Sequence, residues 1–237
     1  MLLASIDLAT AEGSVALLDA SGGVAKETAF TCRNDHSARA LPALHRLLKA
    51  MGRDVENIEA FAVTTGPGSF TGLRVALGVV EGMTFGRKDV PVAGVGTLYA
   101  AALAVQGEGR FVCPLLNAGR GDVYAALYES GDGEIVERVA PRVAKPREWM
   151  AALAEFLSNG SAGSEKIVFH GTGVPLVEEF PAPPRWKRAR RRKLRLALPA
   201  ARYAARLLER GEPLPPPRLA YIKPPDVRMP GPAVLNR

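Results

Sequence analysis

Apolar positions along the chain switch repeatedly between a two-residue and a 3.6-residue period, and the switches divide it into strands and helices. Runs at Leu2–Leu8, Ser14–Asp19 and Val24–Thr31 predict short strands, with turns at Glu12-Gly13 and Ser21-Gly22-Gly23. In Ser37–Met51, the residues Leu41, Leu44, Leu48 and Met51 recur at helical spacing and predict one buried face. Pro42 falls early in that stretch and is expected to kink it or mark its edge, because proline has no N–H for the helical ladder. A buried strand over Ile58–Thr65 leads through a glycine-rich turn into a helix from about Thr71 to Arg87. A strand at Val90–Val95 and a helix at Thr97–Val105 follow.

The order then recurs. Phe111–Leu116, Val123–Tyr128 and Glu134–Val139 predict three strands, Pro146–Leu157 a helix, Lys166–His170 a strand and Pro199–Leu208 a last helix. Duplicated βββαβα units predict an α/β protein of two similar lobes, the arrangement of actin-like and ribonuclease-H-like folds. Residues 1–107 form the first lobe on this reading, and 108–237 the second with its proline-rich tail. From Gly211 that tail carries eight prolines, which remove ladder donors and predict an extended segment that wraps a surface or frays.

Composition narrows the class. The 237 residues are 47% apolar and 23% charged, as in an ordinary globular domain. Two distant cysteines, Cys32 and Cys113, offer neither a disulfide framework nor metal-ligand spacing, and point to a reducing compartment. Asp7 interrupts the first apolar run too early for a signal peptide, and no run approaches a membrane span, so a cytoplasmic protein is expected. The net charge of +7 is local: eight cations lie between Arg185 and Arg195, and without them the chain carries 7 − 8 = −1. Such a run reads first as a solvated segment. The alternative is contact with nucleic-acid phosphates through Arg190, Arg191 and Arg192, with Trp186 alongside.

The most specific stretch is Gly66-Pro67-Gly68-Ser69-Phe70-Thr71-Gly72-Leu73-Arg74, which leaves a strand and opens a helix. Backbone N–H groups at such a place favour anions, and Ser69 or Thr71 can cap the helix. No Gly-Lys-Ser/Thr follows, so it is not a Walker A loop. The residues alone read equally as a phosphate-binding turn or as a plain strand-to-helix turn. Beyond it, Arg74, Gly78, Gly82 and Gly86 recur every four residues as one stripe. Each interior glycine costs a helix about 1 kcal/mol against alanine, so three on one face call for close packing against a partner or against the protein's own sheet.

This string resembles the signature of the TsaB (YeaZ-like) family, non-catalytic paralogues of the TsaD glycoprotease-like enzymes. Ile6-Asp7 with Ser14-Val15-Ala16-Leu17 resembles the family's opening hairpin, and His36-Ser37 with Leu41-Pro42 and Leu47-Leu48 its first helix. Asp122-Val123-Tyr124 resembles the segment that opens its second lobe, and Ala220-Tyr221-Ile222-Lys223-Pro224 a late "P-x-Y-L-R" element. Asn117 replaces the family's usual acid, and the Arg185–Arg195 run is a further departure.

The catalytic features of related enzymes are missing from the sequence. A His-x-x-x-His metal pair would need a partner for His36 at position 40, which is Ala40. His45 lies nine residues away on another face, and His170 stands alone. An actin-like nucleotide site opens with Asp-x-Gly-Thr, but here Ala9 stands at the glycine in Asp7-Leu8-Ala9-Thr10. Asp7 itself reads as solvated or capping. No catalytic, cofactor or metal residue is therefore assigned.

The resemblance implies an accessory subunit that binds and activates a TsaD-type transferase, which adds threonylcarbamoyl to adenosine in tRNAs decoding ANN codons. It also implies a TsaE-type ATPase as third partner, tRNA reached indirectly through the complex, and pairing with the transferase or with itself through first-lobe helices. Arg74, Gly78, Gly82, Gly86, His36 and Leu41 are the expected interface. The rivals are a free-standing glycoprotease-type metallopeptidase and an actin-like small-molecule kinase.

Overall fold

The computed structural model describes residues 1–31, 36–131, 134–158, 165–180, 186–189 and 193–223, the side chains of residues 36 and 37 excepted. Three antiparallel strands, β1 (Leu2–Asp7), β2 (Glu12–Asp19) and β3 (Val24–Thr31), are followed by α1 (His36–Ala50), β4 (Ala60–Thr64), α2 (Phe70–Thr84), β5 (Val92–Val95) and α3 (Thr97–Leu103). The second pass runs β6 (Phe111–Gly119), β7 (Asp122–Ser130), β8 (Ile135–Ala144), α4 (Pro146–Ser158), β9 (Ile167–His170), β10 (Trp186–Arg188) and α5 (Ala197–Glu209).

The two sheets share one topology. Their orders are β3-β2-β1-β4-β5 and, read from the matching edge, β8-β7-β6-β9-β10. In each, the first strand is antiparallel to the second and parallel to the fourth, with Ile6 beside Val15 and Val63 in the first lobe. The fold is two-lobed and actin-like. Every residue of β1 is buried, as its apolar run requires of a strand covered on both faces. At the edge, β3 mixes polar and apolar residues and is partly exposed.

Differences from the sequence reading are local. Pro42 sits on the exposed side of α1 and inside it, so it does not mark the helix edge. Ala40, Ala43, Leu44, Leu47 and Leu48 form the buried stripe, while Leu41 is 46% exposed. Helix α2 ends at Thr84, not Arg87: Phe85 is extended and Gly86 has φ 78°. In the basic run, β10 is a fifth strand parallel to β9, and Trp186 stacks on Phe169 at 5.2 Å. Lys187 pairs with Glu108, Arg188 with Glu178, and Leu194 and Leu196 are buried. Trp186–Arg188 is thus built into the second sheet and Leu194 N donates to Glu12 of the first lobe, while Arg188, Lys193 and Arg195 are exposed; Arg190, Arg191 and Arg192 lie outside the described residues.

The lobes exchange helices. Helix α3 packs on β6 and β7, whereas α5 packs back on β1, β2 and β4. Between the sheets, Ala100, Ala101 and Ala102 of α3 join Ala200, Ala201, Ala204 and Ala205 of α5 in one shared core. Alanine suits this layer because its small side chain lets a helix backbone lie close to a sheet on either side. The first N–H groups of α5, which no helical carbonyl can satisfy, donate to first-lobe side chains: Leu196 and Ala197 to Ser14 Oγ at 3.2 and 3.0 Å, and Leu198 to Glu27 Oε1 at 3.0 Å. Separate outer cores lie under α1 and α2 in the first lobe and under α4 in the second.

From Gly211 the chain runs extended back over the first lobe. Gly94 N donates to Pro215 O and Ala220 N to Thr65 O, both at 2.8 Å. Lys223 then reaches the second lobe, donating to Asp122 Oδ2 at 3.0 Å and Ala118 O at 3.2 Å. As far as Lys223, the tail wraps.

Candidate functional site

The signature turn is closed by its own chain. A Cβ on Gly68 would fall 2.3 Å from the Ala9 carbonyl oxygen, and one on Gly66, at φ 112°, would fall 2.5 Å from the Ala220 oxygen. Both positions are glycine because backbone lies where a side chain would begin. Ser69 N donates to Ala9 O at 2.7 Å, and Ser69 Oγ caps α2 by accepting from Gly72 N at 3.1 Å. Thr97 Oγ1 accepts from Gly66 N, while Gly66 O accepts from Thr97 N. The glycines that read as room for phosphate are thus filled by the first hairpin and the C-terminal strap, which is the plain structural turn of the two readings.

Beside this turn lies a cleft of about 410 Å³ between the lobes, lined by Ala9–Ala11, Gly68 and Ser69 on one side and Leu116–Ala118, Tyr124 and Thr172 on the other. Asn117, where the family has an acid, forms a local turn in which its Oδ1 accepts from Gly119 N at 2.8 Å. Asp7 is not solvated. It is fully buried, and its Oδ1 accepts from Thr64 Oγ1 at 2.7 Å and from Ala9 N at 3.1 Å. Its Oδ2 finds no hydrogen-bond partner among the described residues. Burial pushes its pKa up to about 6; the two hydrogen bonds hold it down and nearby Glu27 adds to the rise. Among the described residues no three His, Cys, Asp or Glu side chains gather as a metal site, and no helix is long and apolar enough to cross a membrane.

The outer face of α2 is open. Nothing lies within 4 Å of a Cβ placed on Gly78 or Gly82, and Arg74, Glu81 and Gly82 are exposed. The glycine stripe therefore does not pack against the protein's own sheet. Gly86 does not belong to it, since it follows the helix end at positive φ. In its place stands Phe85, 90% exposed and unassigned on sequence. It lies seven residues beyond Gly78, two helical turns, and that spacing was the available signal. Leu41 of α1 is also exposed, and His36 begins the same helix.

At the start of α2 three residues meet. The Arg74 guanidinium lies 3.9 Å over the Phe70 ring, and Arg74 Nε donates to Tyr221 Oη at 3.2 Å. Tyr221, on the strap, packs against Phe70 with centroids 5.0 Å apart. The sequence contained both motifs but no sign that residues 147 apart would touch.

Comparison with known proteins bears on these features together. Residues 9–210 match the family described as TsaD, tRNA N6-adenosine threonylcarbamoyltransferase. The TsaB tRNA threonylcarbamoyladenosine biosynthesis protein of Bacillus subtilis is 28% identical over 155 residues, 65% of this chain and 67% of that protein. Its Escherichia coli counterpart is 34% identical over 138 residues, 57% of this chain, and the match spans only 58% of that protein's length. The solved structure of YeaZ from Pseudomonas aeruginosa, 28% identical, superposes with a TM-score of 0.75 over 93% of this chain and 99% of that one.

Proposed function

The chain belongs to the TsaD family of tRNA N6-adenosine threonylcarbamoyltransferases, among its TsaB (YeaZ) members, and from that premise we propose that it is an accessory, non-catalytic subunit of tRNA threonylcarbamoyladenosine biosynthesis. It binds a TsaD-type transferase and activates threonylcarbamoyl transfer to adenosine in tRNAs decoding ANN codons, with a TsaE-type ATPase as third partner. The docking surface is the outer face of α2 with the adjoining edge of α1: Arg74, Gly78, Gly82 and Leu41, flanked by His36 at the start of α1, with Phe85 and Tyr221 added.

The observation that carries this reading is the open glycine face. Gly78 and Gly82 lower helix stability, and among the described residues outside their own helix nothing lies within 4 Å of a Cβ placed on either. A second helix backbone laid along them offsets that loss. Phe85 at one end and the Phe70–Arg74–Tyr221 cluster at the other supply the aromatic and arginine anchors typical of an interface centre. The same face would serve a homodimer when the transferase is absent.

Gly82→Leu tests it. Leucine at an open helix position is expected to leave thermal stability equal to or above the parent's, because leucine is the better helix former. Co-purification with the transferase is expected to be lost, since the side chain holds two backbones apart. A folded variant that still pairs sinks the assignment of this face.

A further inference from the structure

We infer that a second surface, the cavity between α5, the end of α3 and the end of β7, is a contact for the phosphate backbone of RNA, held by Arg202 and Arg206. The cavity measures about 660 Å³ against about 410 Å³ for the interlobe cleft. Its lining includes Arg202, Arg206 and Arg210, with Tyr203, Ser130 and Gln106, and among the described residues contains no acid.

The three arginines follow one another at four-residue steps along α5, so they form one stripe with about 6 Å between successive side chains along the axis. Their situations differ. Arg210 is held by Glu134 and Glu212 at 3.3 and 3.6 Å, which ties the far end of the cavity to the start of β8. Arg202 is exposed and makes no hydrogen bond or ion pair among the described residues. Arg206, half-buried between them, already has an interaction within the chain, so Arg202 is the uncompensated member of the stripe. An uncompensated arginine on a rigid helix keeps all its donors for a ligand, and phosphate suits its planar fork. Tyr203, edge-on to Tyr99 at 5.1 Å, adds an aromatic ring to the lining.

Lys187 of β10 is already paired, at 3.6 Å, with Glu108, the neighbour of the cavity-lining Gly107, so the positive charge of the site is that of the α5 stripe. Arginines spaced along one helix face make a track rather than a point, and a track fits a run of phosphates. That the polyanion is RNA rests on the function proposed above; the arginine site does not.

The test is fluorescence anisotropy of an unmodified tRNA transcript with the full chain across a salt series. Replacing Arg202 and Arg206 together by alanine is expected to weaken binding roughly tenfold and to lower the slope of log affinity against log salt by about 2, one for each lost phosphate contact. Alanine favours the helix, and Arg202→Ala alone, expected to show about half the slope change, serves if the double variant fails to fold. Arg53→Ala, which removes an exposed pair with Asp19 outside this cavity, is expected to change neither quantity. Unchanged affinity in the double variant, or an equal loss with Arg53→Ala, overturns the inference. So does inorganic phosphate that saturates the cavity while tRNA affinity ignores Arg202, which would assign it to a small anion. Transferase co-purification on the same preparations separates the two readings: tRNA binding lost with pairing intact supports this one, and pairing absent in the parent while the arginine effect persists overturns only the other.

Discussion

After β4 the chain turns at Gly66 with φ 112°, and Gly68 fits against the Ala9 carbonyl. After β9, the strand in the same place of the second sheet, it turns at Gly171 with φ 124°, where a Cβ would fall 2.2 Å from the Leu115 carbonyl oxygen. Ser69 N donates to Ala9 O in the first turn, and Gly173 N to Leu115 O in the second, at 2.7 and 2.9 Å. Beyond the turns the lobes part. The first continues into the 15 residues of α2; the second makes only the short turn Val174–Leu176.

The turn is therefore kept in both lobes because two backbones meet there, whereas the helix after it is not required to close an outer core. Helix α4, over the second lobe, shows an ordinary outward face of Arg147, Glu148, Ala151, Glu155 and Ser158. Helix α2 shows glycines and ends beside a bare phenylalanine. What distinguishes the first lobe is this extra surface.

The sharpest way to break the comparison is to fill both turns. Gly68→Ala and Gly171→Ala each place a Cβ inside van der Waals contact of backbone, and each is expected to cost about 4 kcal/mol, roughly 10 °C in Tm. Thermal unfolding measures both. If one is tolerated, the two turns are not doing the same work.

A smaller effect separates the lobes by protonation. The Asp7 carboxyl, raised by burial from its ordinary 3.8 to about 6, holds its proton more tightly folded than unfolded. The native state then binds more protons between about pH 4 and 6, so stability falls as pH rises through that window, by about 3 kcal/mol in all. Cys113 of the second lobe, its thiol pushed up to about 12 by burial, stays neutral throughout and adds no slope there. Asp7→Asn is expected to flatten the decline, read as Tm from pH 4 to 7; an unchanged profile would place the titrating group elsewhere.

The mildest change tests the open face itself. Gly82→Ala meets nothing within 4 Å and is expected to raise stability by about 1 kcal/mol, roughly 3 °C in Tm. A fall in Tm would mean the face is covered within the monomer.

Most of the element order was legible because strands and helices differ in hydrophobic period, and both passes preserve the difference. Strand β10 was hidden: Trp186, Lys187 and Arg188 carry no apolar alternation, and they become a strand only because β9 offers a free edge. Asp7 read as solvated because a carboxylate usually is; its burial follows from Thr64 and Ala9 supplying donors inside the fold.

By itself the sequence determined the duplicated order of elements, the turn of Gly66–Arg74 and the glycines that mark α2, since each is a local property of period, dihedral freedom or capping. Only the tertiary structure decided where those elements lie. The alanines of α3 and α5 say that a face is buried, but the period of a helix does not name the sheet that buries it, and each helix crossed to the other lobe. The meeting of Tyr221 with Phe70 and Arg74, and of Arg210 with Glu134, likewise joins residues far apart in the chain, and such contacts are set by packing, which no local pattern encodes.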